Sequence, residues 1–150
     1  MSIVPAPAVP FATTREVRDT CLCLHVQRAA RALARRLDEA LRPVGLTSGQ
    51  FSLLMALNRP EKAAMGPVAR LLAVDRTTLT AALKPLERLG LVSIEADPAD
   101  RRSRLIGLTE KGGQALAAAL PIWRRVHAGI EAGLPAPDAE GLRNALRALC

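Results

Sequence analysis

The chain has 150 residues, enough for one domain with a real core or for two small lobes packed together, and 49% of them are hydrophobic. Twenty-one Lys and Arg residues against 14 Asp and Glu residues give a net charge of +7, which favours a polyanionic partner such as nucleic acid. Two Phe, one Trp and no Tyr leave few rings on which bases could stack, so single-strand and RNA binders are disfavoured and duplex DNA remains.

The N-terminal stretch MSIVPAPAVPFATT has neither a basic start nor a continuous apolar run, so it does not resemble a signal peptide. It predicts a Pro-rich arm over residues 1–13. No apolar run approaches the ~20 residues that span a bilayer, and we expect a cytoplasmic protein with no membrane contact. Three Cys residues, an odd number, argue against a disulfide framework.

The first predicted helix is long, is capped by Thr13 or Thr14 and ends near Arg42. Its apolar residues cover more of the helix circumference than a single stripe would, which predicts two buried faces. The segment RPVGLT ends this helix, and Thr47 or Ser48 then caps a second one, SGQFSLLMAL.

A helix-turn-helix is predicted in MGPVARLLAVDRTTLTAALKPLERLGLV. Pro67 lies in the first turn of its first helix, where a missing N–H costs nothing, and Asp75 is a good N-cap for its second helix. Pro85 predicts a bend or an early end in that second helix, which Gly90 terminates. The apolar residues spaced at three and four are expected to face the core: Leu79, Ala82, Leu83, Leu86 and Leu89.

Two strands, LVSIEA and RLIGLT, flank the charged turn DPADRRS and predict a β-hairpin. Thr109 caps the next helix, which is expected to kink at Pro121 and to end near Ala132. After a linker, Asp138 caps a last helix over residues 139–150.

The hairpin tip places two Asp and three Arg within residues 97–104. Such a tip is either a solvated turn whose acids neutralise its arginines, or a wing that reaches the phosphates beside the minor groove. Its position directly after a helix-turn-helix in a basic chain favours the wing. The expected fold class is mainly α with a small β-hairpin (α+β), with a winged helix-turn-helix lobe and a helical region from both termini.

These segments together resemble the MarR (multiple-antibiotic-resistance repressor) family of winged-helix regulators over about residues 17–132. LTSGQFSLLMAL, VARLLAVDRTTLTAALKPLERLGLV and LTEKG follow the family's segments in order. The family's wing pattern, Asp-x-Arg-x-x-x-Val/Ile-x-Leu-Thr, is met by Asp100, Arg102, Ile106, Leu108 and Thr109. The resemblance implies a triangular homodimer with intertwined first and last helices. It divides the chain into an arm (1–13), a helical dimerisation region (14–46 and 110–150) and a winged helix-turn-helix DNA-binding domain (47–109).

The implied partner is pseudo-palindromic double-stranded DNA. By resemblance Arg102 enters the minor groove, and Asp100 holds the wing by pairing with an arginine. Arg76, in the first turn of the second helix of the motif, is the candidate for bidentate guanine recognition. Lys84 and Arg88 are expected to contact phosphate, although a surface ion pair explains Arg88 nearly as well. The candidate recognition-helix residues are Arg76, Thr77, Thr78, Thr80, Lys84 and Arg88, and the candidate wing residues are Asp100, Arg101, Arg102 and Arg104.

The segment CLCLH suggests a metal site, but on a helix Cys21 and His25 share a face while Cys23 points about 200° away, so no metal is expected. Redox sensing is the better alternative, because one branch of the resembled family senses organic peroxides through a cysteine at the position of Cys23, with Cys150 as a flexible resolving partner here. In that branch tyrosine hydroxyls hold the thiolate. This chain has no tyrosine, which favours an inert cysteine.

The resemblance also implies an inducer, a small aromatic carboxylate or a phenol, bound between the dimer helices and the DNA-binding lobe. Its candidate lining residues, each of which a core or interface position also explains, are His25, Arg28, Phe51, Met55 and Trp123. We therefore expect a repressor released by such a ligand. The alternatives are a peroxide-sensing repressor and a non-sensing architectural or protein-binding winged-helix protein. The chain has no HExxH, no GxSxG and no phosphate-binding Gly loop, so neither an enzyme nor a cofactor is expected.

Overall fold

The computed structural model describes residues 8–150, so most of the predicted N-terminal arm, residues 1–7, lies outside the described residues. Its helices are α1 (Phe11–Thr20), α2 (Leu22–Leu41), α3 (Ser48–Leu57), α4 (Met65–Leu72), α5 (Arg76–Arg88), α6 (Glu110–Ala132) and α7 (Ala139–Arg147). Its strands are β1 (Ala63–Ala64), β2 (Val92–Ala96) and β3 (Arg104–Leu108). This confirms the predicted fold class. No helix of residues 8–150 is long and apolar enough to cross a membrane.

The chain divides into two compact units, Met1–Arg35 and Arg36–Cys150. In the first unit, α1 starts at Phe11, so residues 11–13 are helical and not part of an arm. Its N-cap is Pro10, and neither Thr13 nor Thr14 caps it. The backbone leaves helical geometry at Cys21 (φ −70°, ψ 107°), so the prediction of one continuous helix to Arg42 is wrong.

Side-chain hydrogen bonds to the backbone flank the break at Cys21. The Cys21 carbonyl accepts from the backbone N–H of His25 at 3.1 Å and from the His25 ring Nδ1 at 2.8 Å. One residue earlier, Thr20 Oγ1 donates to the Glu16 carbonyl at 2.8 Å, a bond of the kind that bends helices. Each side-chain bond adds a donor to a backbone carbonyl beside the break, and hydrophobic periodicity carries no sign of either bond.

In the second unit, α3 has the predicted cap. Thr47 Oγ1 accepts from the backbone N–H of Gln50 at 3.2 Å, and Gln50 Oε1 accepts from that of Thr47 at 3.0 Å, which completes a capping box. Asp38 of α2 accepts from the backbone N–H of Ser48 at 2.6 Å, which lowers the pKa of Asp38. The end of α2 is thereby tied to the start of α3.

Helices α4 and α5 form the predicted helix-turn-helix. Ala73, between them, takes a left-handed conformation (φ 52°), and Asp75 then caps α5 by accepting from the backbone N–H of Thr78 at 2.6 Å. Helix α5 continues through Pro85 to Arg88, so the predicted early end does not occur.

The buried face of α5 is narrower than predicted. Leu79, Leu83 and Leu86 are fully buried, whereas Ala82 and Leu89 are exposed. Helix α5 is covered on one side only, so apolar residues flanking that side remain in solvent.

The sheet has one strand more than predicted. Strands β2 and β3 pair antiparallel, from Val92 with Leu108 to Ala96 with Arg104, and β1 pairs with the other edge of β3. Lys62, just before β1, forms an ion pair with Glu95 of β2. Its side chain crosses Gly107, where a Cβ would meet Lys62 Cγ at 2.8 Å.

The C-terminal helices have the predicted caps. Thr109 caps α6 by accepting from the backbone N–H of Gly112 at 3.0 Å, and Asp138 caps α7. Helix α7 ends at Arg147 and not at Cys150. The core of this unit joins α2 to α6 and the sheet, and its largest fully buried side chains are Leu41, Leu54, Leu57, Val68, Leu79, Leu83, Leu86 and Ile106.

Candidate nucleic-acid interface

The face of α5 opposite its buried leucines is polar and cationic. All six candidate residues on α5 are exposed: Arg76, Thr77, Thr78, Thr80, Lys84 and Arg88. The core sets the direction of this face, because Leu79, Leu83 and Leu86 fix the rotation of the helix about its axis.

Two of the three threonine hydroxyls near the start of α5 are already bonded. The Thr78 side chain and backbone both donate to Asp75, which lowers the pKa of that carboxyl, and Thr80 Oγ1 donates to the Arg76 carbonyl at 2.8 Å. Among the described residues, Thr77 Oγ1 and the Arg76 guanidinium therefore remain available to an external acceptor.

A groove of about 350 Å³ separates α5 from the hairpin. Thr80 and Lys84 of α5 line it together with Arg104 of β3, so two cations from different elements face one groove. Glu87 also lines it and offsets part of that charge. A phosphate-bearing strand along the groove would be contacted by both elements at once.

Two guanidinium groups converge beside Gly66 at the start of α4. A Cβ on Gly66 would have Arg76 Nη2 at 3.5 Å and Arg70 Nη1 at 3.6 Å. Sequence reasoning missed Arg70, whose only signal is an exposed basic residue on the first helix of the motif. Two neighbouring cations next to the partial positive charge of a helix N-terminus favour an anion between them.

The wing tip is held by its aspartates. Asp97 accepts from the backbone N–H of Ala99 at 2.9 Å, and Asp100 accepts from that of Arg102 at 3.0 Å. Asp100 thus binds a backbone amide and not the predicted arginine side chain, because this tight turn brings the N–H two residues ahead within reach. The guanidinium groups of Arg101 and Arg102 are exposed, and neither pairs with a described acid.

The C-terminal end of α5 is tied to the start of α6. Lys111 Nζ donates to the Leu89 carbonyl at 2.8 Å, Thr109 Oγ1 to the Gly90 carbonyl at 2.6 Å, and the Thr109 backbone N–H to the Leu91 carbonyl at 3.1 Å. These three bonds fix where α5 ends relative to α6, and the wing strands begin from that junction.

The five predicted ligand-pocket residues line two different cavities. Phe51, Met55 and Trp123 border an apolar groove of about 430 Å³ in the second unit, completed by Ser52, Ala56, Leu71, Leu72 and Leu120. His25 and Arg28 line a cavity of about 490 Å³ along α2, whose other lining residues are Ala29, Arg31, Ala32 and Arg35. The apolar groove therefore contains the predicted aromatic residues without the predicted cations.

The three cysteines are free: Cys21 is half-buried, while Cys23 and Cys150 are exposed. Cys23 Sγ accepts a hydrogen bond from Gln27 Nε2 at 3.1 Å. Across residues 8–150, no three His, Cys, Asp or Glu side chains are grouped as metal ligands.

A model of the MarR family matches residues 44–103, which include the helix-turn-helix, β2 and the wing tip, and end just before β3. The crystal structure of the Mycobacterium tuberculosis transcriptional regulator MosR in complex with DNA is 40% identical, with a TM-score of 0.79. That match covers 86% of this chain and 92% of the MosR chain.

Two curated relatives match a shorter part. The transcriptional activatory protein BadR of Rhodopseudomonas palustris is 37% identical over 94 residues, 61% of this chain and 54% of BadR. The transcriptional repressor NicR of Pseudomonas putida is 35% identical over 81 residues, 54% of this chain and 51% of NicR. This chain thus matches about half the length of each.

All three relatives are named as transcriptional regulators and none as an enzyme. The resemblance inferred from the wing pattern and the helix-turn-helix is confirmed. A family model on the winged helix-turn-helix and a 40% identical relative matched over 92% of its length show that this chain belongs to the MarR family of transcriptional regulators.

Proposed function

We propose that the protein is a dimeric, sequence-specific double-stranded DNA-binding regulator that represses its target genes in the cytoplasm and is released from DNA by a small aromatic ligand. The observation that carries DNA binding is the cationic surface of residues 36–150, made of the exposed face of α5, the arginines beside Gly66 and the wing tip. MosR, which this chain resembles over 92% of the MosR chain, was solved in complex with DNA.

The dimer is supported by terminal helices whose apolar side chains have little cover in one chain. Helices α1 and α7 bury no residue, and α2 buries only Leu41. The exposed apolar side chains include Val17 (51%), Leu22 (69%), Leu33 (43%) and Leu149 (62%). Apolar surface of this kind is typically covered in an assembly. We accordingly assign residues 14–46 and 110–150 to dimerisation and residues 47–109 to DNA binding.

Five cationic groups of this surface have a proposed role. Arg76, in the first turn of α5, reads a base edge in the major groove, and Thr77 supports it. Lys84 and Arg104, which share one groove, contact phosphate, as does Arg70. Arg102 enters the minor groove from the wing tip.

The decisive experiment is operator selection followed by titration at several salt concentrations. The selected site should be pseudo-palindromic, with half-sites about one helical turn (~10 bp) apart. Arg102→Ala should weaken binding and flatten the logarithmic salt dependence by roughly one unit, because one cationic contact is lost.

Arg125→Ala is the matched control, since Arg125 is an exposed arginine of α6 that makes none of the proposed DNA contacts, and size-exclusion chromatography checks that both variants stay dimeric. Arg125→Ala should leave both quantities unchanged. Equal affinities for Arg102→Ala and wild type at every salt concentration would show that the tip is a plain solvated turn. A reporter gene behind the selected operator tests the sign of regulation, and repression requires higher expression when the regulator is deleted.

Release by an aromatic ligand is supported by the groove at Phe51, Met55 and Trp123, which lies between α3, α4 and α6. Helix α4 belongs to the helix-turn-helix, so a ligand that prefers one placement of α4 shifts the population of DNA-binding conformations. Operator binding titrated against phenols and aromatic carboxylates is the test.

A further inference from the structure

The groove that contains Trp123 has a composition that bears on its ligand. Eight side chains line it, and not one is ionisable: Phe51, Ser52, Met55, Ala56, Leu71, Leu72, Leu120 and Trp123. The only polar groups on these side chains are the Ser52 hydroxyl and the Trp123 indole N–H. Its volume of about 430 Å³ falls in the range of small-molecule sites.

Two aromatic residues of this groove continue into a row with His127, which does not line the groove and whose Nδ1 lies 3.6 Å from Oε1 of Glu131. The rings of Phe51 and Trp123 are stacked with centroids 6.1 Å apart, and those of Trp123 and His127 with centroids 4.7 Å apart. Phe51 is 5% exposed, so it fixes one end of the row in the core, while Met55 is 40% exposed and Leu71 63% exposed at the mouth. Flat apolar walls with a flexible thioether at the mouth suit a planar aromatic molecule.

We propose that this groove binds an uncharged aromatic ligand, such as a phenol or an aromatic amide, and discriminates against aromatic carboxylates. The inference rests on the proposed ligand-released function and goes further by naming the charge of the ligand. The cations that would favour a carboxylate, Arg28 with His25, line a separate cavity on α2.

The discrimination follows from desolvation. An aromatic carboxylic acid is ionised at neutral pH, and moving its charge from water to an apolar site is costly without a cation or several hydrogen-bond donors. A phenol keeps its proton at neutral pH, and one hydroxyl or indole N–H satisfies its oxygen. Among the described residues that line the groove, the Ser52 hydroxyl and the Trp123 indole N–H supply such a bond, and none supplies a cation.

Trp123 is the only tryptophan of the chain, so its fluorescence reports on this groove alone. The full-length protein is titrated with benzamide and benzoate, which share a ring and nearly a shape and differ in charge, and with p-cresol as a neutral phenol. We expect benzamide and p-cresol to change Trp123 emission with a Kd at least roughly ten-fold below that of benzoate.

A charge added to the lining provides the complementary test. Ser52 is exposed at the groove, so Ser52→Lys introduces an ammonium group there with little risk to the core. This variant should bind benzoate at least about ten-fold more tightly than wild type does. Asn58→Lys is the matched control, because Asn58 is exposed at the end of α3, does not line the groove and lies outside the proposed dimerisation region, and it should leave the benzoate Kd unchanged.

Two results would overturn the inference: benzoate binding wild type as tightly as benzamide, or no Trp123 response to either neutral ligand. Operator binding is measured on the same samples. Neutral-ligand selectivity in a protein that binds no operator would refute the proposed function and leave the groove assignment standing. If benzoate weakens operator binding and the neutral ligands leave it unchanged, the groove assignment is refuted and the proposed function stands.

Discussion

Gly112 lies where the start of α6 meets the turn after α5. A Cβ at Gly112 would stand 2.0 Å from the Leu91 carbonyl oxygen and 3.0 Å from its carbonyl carbon, both backbone atoms that cannot rotate away. Gly112→Ala therefore forces the two segments apart. The same Leu91 oxygen accepts from the Thr109 N–H at 3.1 Å, so this movement also strains a hydrogen bond of the junction.

The expected loss can be estimated from these contacts. Overpacking at a closely packed position costs about 1–3 kcal/mol, and a weakened hydrogen bond about 0.5–1.5 kcal/mol. Alanine regains up to about 1 kcal/mol over glycine in a helix. With the full gain in helix propensity subtracted, the free energy of unfolding of Gly112→Ala should thus fall by about 0.5–3.5 kcal/mol.

The adjacent glycine is the matched control. A Cβ on Gly113, in the same turn of α6, would meet nothing within 4 Å. Gly113→Ala should therefore gain helix propensity without a clash and raise the free energy of unfolding by up to about 1 kcal/mol. Two identical substitutions in consecutive residues then act in opposite directions.

Urea unfolding followed by circular dichroism measures both variants, at one protein concentration because dimerisation adds to apparent stability. A Gly112→Ala midpoint equal to or above that of wild type would refute the close approach of Leu91 to α6. If both variants lose the same stability, a general effect of alanine in this turn is responsible and the packing argument fails.

Two further changes test local geometry. Ala73→Gly should raise the free energy of unfolding by about 1 kcal/mol, because glycine takes the left-handed φ of 52° without the steric cost that alanine pays; a lower urea midpoint would contradict it. Asp38 accepts hydrogen bonds from Ser48, which lower the pKa of this carboxyl below the ordinary 3.8. The ionised carboxylate therefore stabilises the folded protein above pH 3.8, and this stabilisation is lost as the pH falls through the folded-state pKa. Asp38→Asn should therefore cost stability at pH 6 and progressively less below pH 4, and a constant difference across unfolding series at these pH values would exclude the ionised carboxylate as the cause.

The starts of α3, α5, α6 and α7 were predictable because a cap is a short local pattern, whereas those of α1 and α2 were not. Thr47, Asp75, Thr109 and Asp138 each precede a helix, and each accepts the hydrogen bond expected of an N-cap. The hairpin was predictable for a similar reason, since two apolar segments flank a turn rich in Asp, Pro and Ser.

Features that depend on distant residues or on side-chain competition were not predictable. The break at Cys21 is flanked by side-chain bonds from Thr20 and His25, and both residues fit a helical pattern equally well. Strand β1 has two residues, too few to show an alternation, and exists through its pairing with β3. The convergence of Arg70 with Arg76 depends on the angle between two helices.

The wing tip has a thermodynamic consequence for association with DNA. Its backbone is already ordered by the bonds to Asp97 and Asp100, while the guanidinium groups of Arg101 and Arg102 form no ion pair with any described acid. On binding DNA, only the arginine side chains of this tip would lose conformational freedom, which costs about 0.5–1.5 kcal/mol for each arginine. The loop backbone would add no further cost. No ion pair with a described acid has to break first. The conformational entropy lost by the two arginine side chains is therefore the main free-energy cost of binding that arises within this tip.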